Sequence, residues 1–174
     1  MNLIFRLLCV VFGAWRGQGL GVTDVSRLRF RVWPLDLDLN LHLTNSRYLA
    51  LMDLGRTDLI LRAGVWRAMR AQRLGVVLGG SALRFRRPLA PFARFTLETR
   101  LLGWDERWMY VEQVFIGPEG IACKAAMRAG FVKAGKLVPP GPVLAGLRPG
   151  AADYGPPAPS WALDWAALEA QFAG

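Results

Sequence analysis

The chain has 174 residues, 53% of them hydrophobic, and carries 22 basic residues against 13 acidic ones for a net charge of +9. That length suits one domain with a core able to stand alone, and the apolar fraction is high for a soluble monomer, which points to an oligomer or to membrane contact. The two cysteines, Cys9 and Cys123, lie far apart in apolar settings, so they form neither a disulfide framework nor a metal spacing, and a reducing cytoplasm is the default location.

Nineteen of the basic residues are arginine. Arginine suits planar contacts to phosphate, so nucleic acid, an anionic membrane and a phosphate-bearing ligand are the partner classes to weigh.

Residues 2–15 are apolar, interrupted by Arg6, and the run Leu7 to Trp15 is too short to span a bilayer. No small-x-small cleavage site precedes Arg16. Three readings stand: an element packed on the domain, a helix lying in the bilayer interface, or a short anchor. Leu3, Ile4, Leu7, Leu8, Val11 and Phe12 can share one helical face, which favours peripheral membrane contact through residues 2–15. Residues 16–26, with glycines at 17, 19 and 21, read as a linker, so residues 1–26 form an N-terminal segment.

From Arg27 to Trp33 apolar and basic residues alternate, predicting a half-buried strand that Pro34 ends. From Ser46 the apolar positions take helical spacing, Asn45 or Ser46 is the expected N-cap, and the helix runs to about Arg62, before Gly64. Its surface is apolar nearly all round, as in a helix wrapped by other elements. A short helix over Val65–Gln72 and four strands follow: Val76–Arg86, Phe92–Leu102, Arg107–Ile116 and Ile121–Val132. Residues 27–137 therefore read as one α+β domain. Residues 138–174 form a tail, extended and rich in Pro and Gly over 138–160, with a last helix over Trp161–Phe172.

The stretch Asp36 to Tyr48 is the polar cluster between the first strand and the long helix, and it holds His42, the only histidine. Asp38 and His42 fall in a loop that ends on a helix start, where unpaired amides can hold a carboxylate or a developing oxyanion. The plain alternative is that Asp36, Asp38 and Asn45 only cap turns and the helix.

The order Asp36-x-Asp38-x-Asn40-x-His42-x-x-Asn45-x-x-Tyr48-Leu49, followed by a long helix carrying an arginine, resembles the hotdog-fold acyl-CoA thioesterases of the 4-hydroxybenzoyl-CoA thioesterase branch. Within it the chain is most similar to thioesterase-like proteins with an apolar N-terminal segment. The likeness covers Arg27 to Lys136, including Gly79–Pro88 and Leu102–Glu106. Leu41 stands where that signature has glycine, and Thr44 where it has the first of two asparagines.

The resemblance implies an antiparallel β-sheet wrapped around a long central helix, hydrolysis of a fatty or aromatic acyl-CoA thioester to free acid and CoA, no cofactor, no metal, and a homodimer or homotetramer. It implies Asp38 as the catalytic carboxylate, Asn45 as the residue whose amide polarises the thioester oxygen, and His42 as a partner that orients Asp38 or the loop. Arg84, Arg86 and Arg87 become candidates for the CoA phosphates, and Ser81 a candidate substrate contact. Trp104, Trp108 and Tyr110 are candidates for an acyl tunnel or, more simply, for the core.

Two other functions compete. One is a non-catalytic hotdog protein that binds acyl-CoA or lipid at a membrane, which the departures at Leu41 and Thr44 support. The other, a nucleic-acid-binding module, ranks last: the chain has no helix-turn-helix, RNA-binding or zinc pattern, and its arginines scatter.

Overall fold

A computed structural model describes residues 3–147 and 156–171. The chain runs α1 (Leu3–Arg16), β1 (Ser26–Arg31), a single 3-10 turn (Pro34–Asp36), α2 (Asn45–Arg62), α3 (Val65–Gln72), β2 (Gly75–Phe85), β3 (Arg94–Trp104), β4 (Met109–Gly117), β5 (Gly120–Lys133), β6 (Lys136–Val138), α4 (Pro140–Ala145) and α5 (Trp161–Ala170). The strands form one antiparallel sheet in the order β1-β3-β4-β5-β2, with β6 added beside β5.

The sheet curls around α2, so the hotdog arrangement holds. Tyr48, Leu51, Met52 and Leu54 of α2 are buried in one cluster with Phe95 and Leu97 of β3, Phe115 of β4 and Met127 and Phe131 of β5. Gly55 lets the helix approach this closely: a Cβ there would fall 2.4 Å from the Thr99 hydroxyl. The seam is polar but closed, because Gln113 Nε2 donates to the Met52 carbonyl and to Thr99 Oγ1, and Arg56 donates to Gln113 Oε1.

Local turn chemistry moves several boundaries from those the alternation predicts. Strand β3 begins at Arg94, not Phe92, because Phe92 takes a left-handed backbone (φ 61°) and Ala93 N–H donates to the Ala90 carbonyl. Strand β4 begins at Met109, because the Asp105 carboxylate collects the Arg107 and Trp108 amides, each at 2.7 Å, into a turn. Two elements fall in or beside the stretch that reads as extended. Ala134 and Gly135 both have positive φ, which is a two-residue hairpin turn and creates β6. Pro140 starts α4, a position where its missing amide is harmless, and Val143 and Leu144 bury. Helix α5 stacks Trp161 edge-on against Tyr110. Phe172 lies outside the described residues.

Helix α1 packs against α2 through Val10 and Ala14. Arg6, which interrupts the apolar run, points inward and is 2% exposed. The face carrying Ile4, Leu7, Leu8 and Phe12 points outward.

Candidate active site

The loop between β1 and α2 is a three-residue hairpin. Leu37 and Leu43 pair as an antiparallel bridge, Asp38 N–H donates to the His42 carbonyl (2.9 Å), and Leu41 N–H donates back to the Asp38 carbonyl (3.1 Å). This turn type places its third loop residue in the left-handed region. That residue is Leu41, with φ 57°. The signature's glycine is thus explained by backbone angle, and the chain meets the same angle with a leucine.

A leucine there is strained by about 1–2 kcal/mol relative to glycine, against about 0.5–1 kcal/mol of extra chain entropy that glycine loses on folding. Leu41 is 64% exposed, so little burial is at stake. Leu41→Gly is expected to raise stability by up to about 1 kcal/mol in a urea titration, whereas Leu41→Ala gains nothing.

Asp38 Oδ1 accepts the amides of Asn40 (2.9 Å) and His42 (3.3 Å). Both bonds fall on one oxygen, so the carboxylate is oriented by its own turn while Oδ2 has no hydrogen bond among the described residues. The tie between His42 and Asp38 runs through the His42 backbone. The imidazole has no hydrogen bond among the described residues and lines the same recess as Asp38.

The far end of the loop starts α2. Thr44, not Asn45 or Ser46, is the N-cap: it is extended (φ −66°, ψ 146°), and its hydroxyl makes no capping bond. Asn45 is therefore the first helical residue, and its amide has no carbonyl one turn below to bond. The aligned peptide dipoles of an 18-residue helix add partial positive charge there.

The loop is tied to the segment after β2, where Leu43 N–H donates to the Leu89 carbonyl (3.0 Å). This pairing brings Arg86 and Arg87 to the same place. Asp38, His42, Asn45, Tyr48, Phe85, Arg86 and Arg87 line one open recess of about 300 Å³. Neither Arg86 nor Arg87 has an acidic partner among the described residues. Tyr48 meets Phe85 and Phe115 edge-on at 5.1 and 4.8 Å. Burial, and then the nearby Cys123 thiol, push its phenol up to about 12, so it stays protonated at neutral pH.

The remaining sequence candidates lie elsewhere. Arg84 lines a separate groove beside Glu112, Lys124 and Trp161 of α5. Ser81 is exposed on β2 opposite Met127, about 13 Å along the strand from Phe85. Trp108 packs on Gly79 and Gly130, and Tyr110 donates to Asp105 (2.7 Å), so neither lines the recess. Phe85 is a pocket wall whose only trace in the sequence is its place between Arg84 and Arg86 on an alternating strand. An apolar cavity of about 60 Å³ beside Leu59 and Ile60 sits some 20 Å up α2 from Asn45 and is not part of this site.

Residues 32–165 match the sequence model of the thioesterase-like superfamily. The chain is 41% identical over 85 residues to Protein THEM6 of Xenopus laevis, covering 49% of this chain and 41% of that protein. It is 35% identical over 105 residues to thioesterase poxG of Penicillium oxalicum, covering 52% of this chain and 34% of that protein. It thus spans under half the length of these two relatives. A thioesterase from Thermus thermophilus, complexed with coenzyme A and Zn, superposes with a TM-score of 0.60 at 20% identity, covering 75% of this chain and all of that one.

Proposed function

Because the chain belongs to the thioesterase-like superfamily, we propose that it hydrolyses a fatty or aromatic acyl-CoA thioester to the free acid and CoA, with the Asp38 recess as its active site. The observation that carries this reading is one recess holding an oriented carboxylate, an open helix start and two arginines without an acidic partner among the described residues. Asp38 either takes a proton from water as the water oxygen attacks the thioester carbon, or attacks that carbon itself and is then released by water. The Asn45 amide holds the oxygen that gains charge, the C–S bond breaks, and the sulfur leaves to be protonated as the CoA thiol. Arg86 and Arg87 flank the entrance as partners for the nucleotide phosphates. The test is thiol release by the full chain from short, long and aromatic acyl-CoAs. Release from none of them would remove the hydrolase reading for those classes.

The active form is a dimer built on β2. Among the described residues this 11-residue strand pairs only with β5, and its Val76, Val77, Leu78 and Phe85 are exposed. A long apolar edge with free backbone groups is a pairing template. A second copy joined across a two-fold axis near Gly80 and Ser81 would cover the edge and add a wall beside Phe85 and Arg86. Light scattering at micromolar concentration should return twice 19.3 kDa, and Val77→Lys should shift it toward one. A monomeric wild type removes this assembly.

A second reading concerns location. Helix α1 exposes Ile4, Leu8, Phe12 and Trp15, the last at 71%, and Arg16 lies over the Phe12 ring at 4.1 Å. No helix among the described residues is long and apolar enough to cross a membrane. An apolar stripe with an aromatic and an arginine at its end, on a chain of net charge +9, fits the surface of an anionic bilayer. The protein should sediment with phosphatidylserine-containing vesicles, and the double variant Leu8→Ser, Phe12→Ser should remain in the supernatant. Wild-type protein that stays in the supernatant ends this reading.

A further inference from the structure

We propose that Arg6 is a positioning residue for the Asp38 loop, acting from the N-terminal helix through a buried ion pair with Asp36. The inference rests on the Asp38 recess being the active site and adds a role for α1 in it.

The pair joins elements thirty residues apart. Arg6 Nη2 donates to Asp36 Oδ2 at 2.5 Å and to the Arg31 carbonyl at 3.2 Å, and its guanidinium lies 6.0 Å from the Phe30 ring. Side-chain exposure is 2% for Arg6 and 1% for Asp36. Asp36 in turn fixes both ends of the loop. Its Oδ2 accepts Trp33 N–H (3.0 Å), which holds the 3-10 turn entering the loop. Its carbonyl accepts Thr44 N–H (2.9 Å), the N-cap residue that sets where Asn45 presents its amide. Asp38 sits two residues on. One buried residue thus governs the placement of both the carboxylate and the oxyanion donor.

A buried carboxylate that loses its cation is strongly disfavoured where it sits. Without Arg6, the only other cation near Asp36 among the described ion pairs is Arg47, whose Nε lies 3.5 Å from Oδ1 and whose side chain is 30% exposed. Asp36 would turn toward Arg47 and water, releasing Trp33 N–H and shifting the Thr44 bond. The expected result is a loop that is displaced, not a domain that is unfolded.

A plain anchoring role for α1 predicts otherwise, so the experiment separates the two. Arg6→Met, Arg6→Lys and Val10→Ala are compared with the wild type as full chains. Val10→Ala loosens the packing of α1 on α2 without touching the pair. Arg6→Met should lower kcat by about 10²-fold with KM unchanged, because misplacing a catalytic group by about 1 Å has effects of that size. Arg6→Lys, which keeps the charge, should recover most of the loss, and Val10→Ala should lower Tm while leaving kcat alone. Independently of any turnover, the Asp38, Leu41 and Thr44 amides should exchange hydrogen faster in Arg6→Met than in the wild type, with β3 and β4 unchanged. If no acyl-CoA is hydrolysed by the wild type, the thioesterase reading fails while the exchange data still decide the role of Arg6. Wild-type loop exchange in Arg6→Met, or an equal fall in kcat in Val10→Ala, overturns the proposal.

Discussion

Asp38→Asn is expected to lower kcat for thioester hydrolysis by about 10³-fold, within the range that a positioned base contributes, and to leave the unfolding midpoint nearly unchanged. The reason lies in the hydrogen bonds. Asp38 uses Oδ1 to accept the Asn40 and His42 amides, and an asparagine carbonyl oxygen can accept the same two. The turn therefore survives, while the side chain can neither take a proton from water nor attack a carbonyl. Asp38→Ala is the informative contrast: it removes the acceptor as well and should lose about 1 kcal/mol of stability along with activity. In a single turnover in ¹⁸O-water, label incorporated into Asp38 marks it as the nucleophile; label in the product acid alone, with no mixed anhydride trapped by hydroxylamine, marks it as the base. An Asp38→Asn protein with wild-type kcat would refute the assignment, and the carboxylate would revert to a turn-capping residue.

The elements and the site were legible to different degrees, for physical reasons. The long helix was clear because Tyr48, Leu49, Met52, Leu59 and Ile60 take helical spacing and no proline interrupts its 18 residues, with Gly64 adopting a left-handed backbone just beyond it. The strand starts were displaced wherever a turn took over the backbone, at Phe92 and at Asp105, since alternation says nothing of where a chain turns. Asp38, His42 and Asn45 are neighbours along the chain and came with the signature. That Arg86 and Arg87 reach them, and Arg84 does not, depends on the Leu43–Leu89 bond across 46 residues and on β2 ending at Phe85, which no local pattern states. The link between Arg6 and Asp36 was hidden in the same way. A charge breaking an apolar run was its only trace, and that trace alone does not name a partner.

Asn45→Pro should reduce kcat by about 10²–10³-fold, the usual effect of deleting one oxyanion donor, while the protein remains folded. Backbone donors are seldom testable, because removing an amide usually breaks a helix or a sheet ladder. Asn45 is an exception through its position. It is the first residue of α2, where no intrahelical bond uses its N–H and where the fixed φ of proline suits the helix. The residue before a proline must be extended, and Thr44 already is, at φ −66° and ψ 146°. The substitution therefore deletes one N–H at little expense to the fold. Asn45→Ala serves as the control: it keeps the amide and removes the side chain. If the backbone polarises the thioester oxygen, the alanine variant stays near wild type and the proline variant does not. Equal losses in both would move the role to the Asn45 side chain. A proline variant with unchanged kcat would place the oxyanion elsewhere, with the next open amide, that of Ser46, as the first alternative to examine.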